Sequence, residues 1–197
     1  MARIKGVSAS QAGFYIKLVY FFAGRALRQL AGRGTDRMLE PIRMYAHVPG
    51  LLKGYAKLEQ STAKAHRLPK RLHALAELKA ATLTQCEYCI DLGSQISRQL
   101  GLSDDELLAL PNYRESSLFS ELDKLVLDYA VAMSRTPVGV TDDLVAKLRE
   151  HLDEGQLVEL THFIAIENMR GRFNLALGIG SAGFSEGMVC AVPCTPD

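Results

Sequence analysis

Between Glu121 and Ser134, apolar residues fall at Leu122, Leu125, Val126, Tyr129 and Met133, the three-and-four spacing of one helix face. That period recurs along most of the chain and limits the fold more than any other feature. Residues 69–83 carry Leu72, Leu75, Ala76 and Leu83 on the same spacing, opened by a proline suited to a first turn. Residues 156–177 set Leu157, Leu160, Ile164 and Leu175 along a long, mostly buried helix, and residues 11–30 and 51–65 read as two earlier ones. Start signals agree with the periodicity. Ser103 and Glu106 form a capping-box pattern, and Thr141 stands as an N-cap before Asp142 and Asp143, acids suited to a first turn. Glycine and proline clusters at 32–34, 111–112 and 137–139 separate the segments. No stretch alternates as a strand would, and no Asn-Gly turn joins two β-branched runs. The prediction is an all-α fold, one domain over residues 1–197, with an extended tail from Ser181 to Asp197, where periodicity is lost and Gly183, Gly187, Pro193 and Pro196 appear.

A chain of 197 residues can bury a substantial core. Its net charge of +1 gives no reason to expect nucleic acid, an anionic membrane or an acidic partner. The apolar run FYIKLVYFFAG, residues 14–24, contains Lys17 and is too short to span a bilayer. It also lacks the small-residue cleavage site of a signal peptide, so the expected location is the cytoplasm. Four cysteines do not make a secreted disulfide framework; in a reducing compartment, a close pair points to catalysis or metal binding.

The close pair is Cys86 and Cys89, in TLTQCEYCIDLGSQISRQLG. Apolar residues at 92, 96 and 100 and a glycine stop at 101 make the segment after them helical. Amides and dipole at a helix N-terminus stabilise a thiolate, and the neighbouring thiol is placed to capture a sulfenic acid or mixed disulfide. Two other readings stand beside this one. Small cysteines also pack at helix junctions. Cys190 and Cys194, spaced C-x3-C, could join the first pair around zinc, but glycine-rich turns are missing at Cys86 and Cys89, and the later pair reads as two tail thiols without a chemical role. No metal and no cofactor is expected. For acid–base work the candidates are Glu77, among apolar neighbours on the preceding helix, and His73 one turn before it as a possible proton relay; an exposed i,i+4 pair is the alternative for both. Glu159, His162, Glu167, Asn168, Arg170, Arg172 and Asn174 interrupt the last helix. They line a pocket or pair across a subunit interface, with interface pairing the favoured expectation.

The segments LPKRLHALAELKAATLTQCEYCIDLGS and VELTHFIAIENMRGRFNLALGI, within residues 68–180, resemble the carboxymuconolactone decarboxylase and alkyl hydroperoxidase D-like superfamily. The resemblance implies an all-helical bundle assembling into dimers, trimers or hexamers. It also implies a thiol-dependent hydroperoxide reductase recycled by a protein or small-molecule thiol. In its peroxidase members the second cysteine attacks the peroxide and the first resolves it, roles that carry to Cys89 and Cys86. Those members have a histidine four residues beyond the second cysteine, where this chain has Gly93, and a relay glutamate about twelve before the first, where it has Ala74. Activation of Cys89 is therefore expected to rest on the helix terminus and Glu77. Decarboxylase members generally lack the cysteine pair, which leaves lactone decarboxylation or isomerisation, and disulfide exchange without peroxide, as the alternatives.

Overall fold

The computed structural model describes residues 2–192. Its helices are α1 (Phe14–Ala31), α2 (Glu40–Tyr45), α3 (Pro49–Thr62), α4 (Lys70–Thr84), α5 (Glu87–Gln99), α6 (Asp104–Ala109), α7 (Glu121–Ser134), α8 (Asp142–Arg149) and α9 (Glu154–Leu177), with a short 3-10 turn at Leu110–Asn112. Among the described residues there is no strand, so the all-α expectation holds. No described helix is long and apolar enough to cross a membrane. The expected caps close two starts: Ser103 and Glu106 form their reciprocal pair, and the Thr141 hydroxyl accepts from the Leu144 amide. Two further capping boxes, Ser120 with Asp123 and Asp153 with Gln156, were not anticipated, and the second draws the start of α9 back to Glu154. Helix α2 was also unforeseen; six residues carry too little periodicity to show in sequence.

Helix α4 is the axis of the molecule, packed against α5, α7 and α9. Its alanines at 74, 76, 80 and 81 are buried on several sides, and small side chains let the neighbouring helices approach closely. Leu72, Ala76 and Ala80 face one apolar cluster with Val126, Leu148, Leu160, Phe163 and Ile164. Leu75, Leu78 and Ala81 face another, which includes Cys86, Cys89, Ile90, Leu107, Leu110 and Phe184. The dithiol thus grows from the wall of a core rather than from a surface loop.

The chain after α9 is non-helical, as expected, but it does not hang free. Phe184 is fully buried, and the Asp91 carboxylate on α5 accepts hydrogen bonds from the amides of Ala182, Gly183, Phe184 and Ser185 at 2.9, 2.7, 3.0 and 2.6 Å, and from the Ser181 hydroxyl at 2.7 Å. Ser94 and Gln95 continue the seam by bonding the Ala191 amide and the Ser185 hydroxyl. Cys190 packs here too, its sulfur 3.4 Å from the Ser94 hydroxyl oxygen. Cys194 lies outside the described residues.

Candidate active site

Helix α4 ends because Gln85 adopts φ 57°, the only positive φ at a non-glycine residue among those described. The left-handed residue breaks the helix and lets a new one begin at once. Cys86 is the N-cap of α5 and Cys89 its third helical residue, so the Cys89 amide donates to the Cys86 sulfur at 3.3 Å, as a serine hydroxyl would be used in an ordinary cap. Across from them, α9 passes close because residue 171 is glycine: a Cβ there would stand 2.6 Å from Thr84 Oγ1. That close crossing delivers the Asn174 side-chain amide to 3.6 Å from both sulfurs.

One and two turns back along α9 lie Arg170 and Glu167. Arg170 grips Glu59 of α3 with two bonds, Nε to Oε1 at 2.9 Å and Nη2 to Oε2 at 2.6 Å, and it donates through Nη1 to Glu77 at 2.9 Å and to Glu167 at 3.0 Å. Glu77 also bonds His73 Nε2 at 2.9 Å, and the His73 ring stacks on Phe163 with centroids 3.7 Å apart. The polar residues of α9, expected to line a pocket or pair across a subunit interface, have partners within this chain. His162 and Arg170 meet Thr62 and Glu59 of α3, Arg170 also meets Glu77 of α4 and Glu167, and Asn168 meets Ser134 of α7. Glu159 accepts from the Leu68 amide, Arg172 donates to Thr136, and Asn174 donates to the sulfurs.

Three carboxylates around one guanidinium set the proton distribution. Burial works against the Arg170 charge, but Glu77 and Glu167 outweigh it and hold it well above its ordinary value. Burial likewise pushes Glu77 up, yet Arg170 and then His73 overcome it and bring the carboxyl down to about 2. Glu77, anticipated as a proton acceptor for the dithiol, is engaged by His73 and Arg170, and among the described residues no hydrogen bond joins it to sulfur. Glu167 behaves oppositely. Buried, and repelled by Glu77 against the pull of Arg170, its carboxyl is raised, and it faces the Cys89 thiol, although its Oε1 closes no hydrogen bond of full geometry.

The thiols divide in the same way. The hydrogen bond from Cys89 lowers Cys86 against its burial, with help from Asn174 and the Cys89 amide. Cys89 is raised well above the ordinary value, first by giving its proton to that bond, then by burial and the Glu167 charge. Of the two sulfurs, the N-cap Cys86 is the one that receives the donors, so its thiol is drawn down while that of Cys89 is pushed up. Exposure runs the other way: Cys86 is 0% exposed and Cys89 7%.

Residues 49–132, which include the dithiol, match the carboxymuconolactone decarboxylase family. The Escherichia coli protein YnjA, itself uncharacterized, is 33% identical over 167 residues, covering 82% of this chain and 86% of that one. The chain belongs to the carboxymuconolactone decarboxylase family. Its fold is shared with the debrominase Bmp8 (TM-score 0.75, 19% identity, 92% of this chain and 93% of that one). An uncharacterized peroxidase-related protein from Ralstonia eutropha JMP134, with an alkylhydroperoxidase AhpD core, also shares it (TM-score 0.70, 17% identity, 93% and 94%).

Within the family pattern, the two departures have structural correlates. A Cβ at Gly93 would stand 3.3 Å from Leu78 Cδ1, so any side chain there would press on a core leucine. Ala74, at the relay-glutamate position, is buried in the apolar cluster around Cys86. Acid near the thiols comes instead from α9, as Glu167. Sequence reasoning had noted Glu167, Arg170 and Asn174 only as polar interruptions, yet their i, i+3, i+7 spacing already puts them on one face.

Proposed function

We propose that the chain is a thiol-dependent hydroperoxide reductase in which Cys89 attacks, Cys86 resolves and Glu167 moves the proton. The observation that carries this reading is the pairing of a buried thiol that receives the donors, Cys86, with the slightly exposed Cys89 beside a carboxyl raised from its ordinary value. A carboxyl raised above its ordinary value is better matched to taking and returning a proton. Glu167 accepts the Cys89 proton, and the Cys89 thiolate attacks the nearer peroxide oxygen. The O–O bond breaks, the sulfur becomes a sulfenic acid, and the leaving alkoxide takes the proton from Glu167 to depart as an alcohol. The Cys86 thiolate then attacks the Cys89 sulfur, forming the disulfide and expelling hydroxide, which leaves as water on protonation. An external dithiol returns the two electrons. Asn174, donating toward both sulfurs, stabilises whichever one is anionic.

Small substrates are favoured over protein disulfides because Cys89 is only 7% exposed and Cys86 is sealed. Consumption of an organic hydroperoxide with dithiothreitol as reductant tests the reading. Turnover should vanish in Cys89→Ser, and in Cys86→Ser only the first turnover should survive, leaving a sulfenic acid that a dimedone-type reagent traps. Unchanged peroxide consumption by Cys89→Ser removes the proposal.

A further inference from the structure

The outer side of α1 reverses the usual arrangement of a surface helix. Ile16, Val19, Tyr20, Ala23, Gly24 and Leu27 turn toward the bundle, while Phe14, Phe21 and Phe22 stand 84%, 65% and 58% exposed with Tyr15 and Leu18 beside them. At about 100° per residue these five side chains fall on one stripe opposite the buried face. Exposed aromatics in so close a group mark a binding surface rather than chance.

Charge identifies what the surface binds. Arg3, Lys5, Lys17, Arg25, Arg28 and Arg33 precede the first acid of the chain, Asp36, and the rest of the sequence is correspondingly acidic. The near-neutral total, which on its face argues against an anionic membrane partner, averages two unlike parts. On α1, Lys17, Arg25 and Arg28 are exposed, and among the described residues none of them has a carboxylate partner. A second copy packed face to face would set these cations against their own counterparts. An anionic bilayer satisfies both halves of the pattern, since phenylalanines enter the boundary between headgroups and acyl chains while lysine and arginine meet lipid phosphates. We propose that the outer face of α1 docks on an anionic lipid surface, lying in its plane. This does not rest on the peroxidase reading.

The test floats the reduced full chain through a density gradient with vesicles of phosphatidylcholine alone or of phosphatidylcholine with phosphatidylserine, at low and high salt. Sedimentation velocity without lipid runs in parallel. The expected result is flotation with phosphatidylserine vesicles at low salt, lost at high salt and absent with phosphatidylcholine alone. Each cation replaced by glutamine should weaken binding about fivefold, and the Lys17→Gln/Arg25→Gln/Arg28→Gln variant about a hundredfold. Phe21→Ser/Phe22→Ser should abolish flotation with its helical circular dichroism and melting unchanged. A chain that stays at the bottom with both vesicle types overturns the proposal. So does a lipid-free dimer that Phe21→Ser/Phe22→Ser dissociates, which assigns the face to a second copy.

Discussion

Helices α1 and α9 break the same rule in opposite directions. α9 carries a glutamate, an arginine and an asparagine into the middle of the bundle, and α1 presents phenylalanine to solvent. Each violation costs stability and neither serves packing, so both are where chemistry or recognition is to be sought. The two differ in what answers the violation. On α9 the buried Arg170 is met inside the chain by Glu59, Glu77 and Glu167, and Asn174 reaches the two sulfurs. On α1 the exposed Phe21 and Phe22 touch each other, and no other ring among the described residues packs on them.

This contrast can be broken by substitution, starting with the largest effect. Arg170→Leu leaves Glu59, Glu77 and Glu167 around an apolar group, and removing one partner from a buried ion cluster costs about 3–5 kcal/mol. Urea unfolding should show a loss of unfolding free energy of that size; a variant as stable as the parent would mean the cluster is wetter than the structure indicates. Glu167→Gln is next. It keeps a hydrogen bond to Arg170 but cannot take a proton, so peroxide turnover should fall about 10²–10³-fold. Its melting temperature should not drop, since the parent carboxylate is held above its ordinary value and costs stability as pH rises through that raised value. A loss of stability without loss of rate would make Glu167 a structural partner only.

The third effect is a pH dependence. Glu77 is held at about 2 against an ordinary 4.5, so the stability it contributes is complete above about 4.5 and disappears as pH falls toward 2. Urea midpoints across that window should fall in the parent, and the slope should flatten in Glu77→Gln. Smallest of all, Phe22→Ser on α1 should change folding stability by no more than about 0.5 kcal/mol, the range of exposed positions. A larger loss would show that the stripe packs within the chain and would dissolve the contrast between the two helices.

Most of the bundle was legible because amphipathic period and caps are local signals. Glu121–Ser134 was bounded to the residue, and Ser103 and Thr141 marked their helix starts. What failed was non-local. Glu77 could be read as a partly buried acid near the dithiol, but its charge state is set by Arg170, 93 residues later. The spacing of Glu167, Arg170 and Asn174 showed a shared face without showing what it meets. Meeting the thiols depends on how closely α9 crosses the end of α4, and Gly171 governs that approach only once Thr84 is known to lie opposite. That Cys86 is the sulfur drawn down needed the cap itself, since the dipole argument favours any sulfur in the first turn and only geometry says which one receives the donors.

The Asp91 clasp carries a consequence for how the protein is made. A ribosome delivers residues 181–185 only after every helix described above, and until they arrive the dithiol helix holds a carboxylate with no amides to receive it. A half-synthesised chain therefore carries Asp91 without its donors, and the seam between α5 and the segment after α9 closes only once translation has passed Ser185.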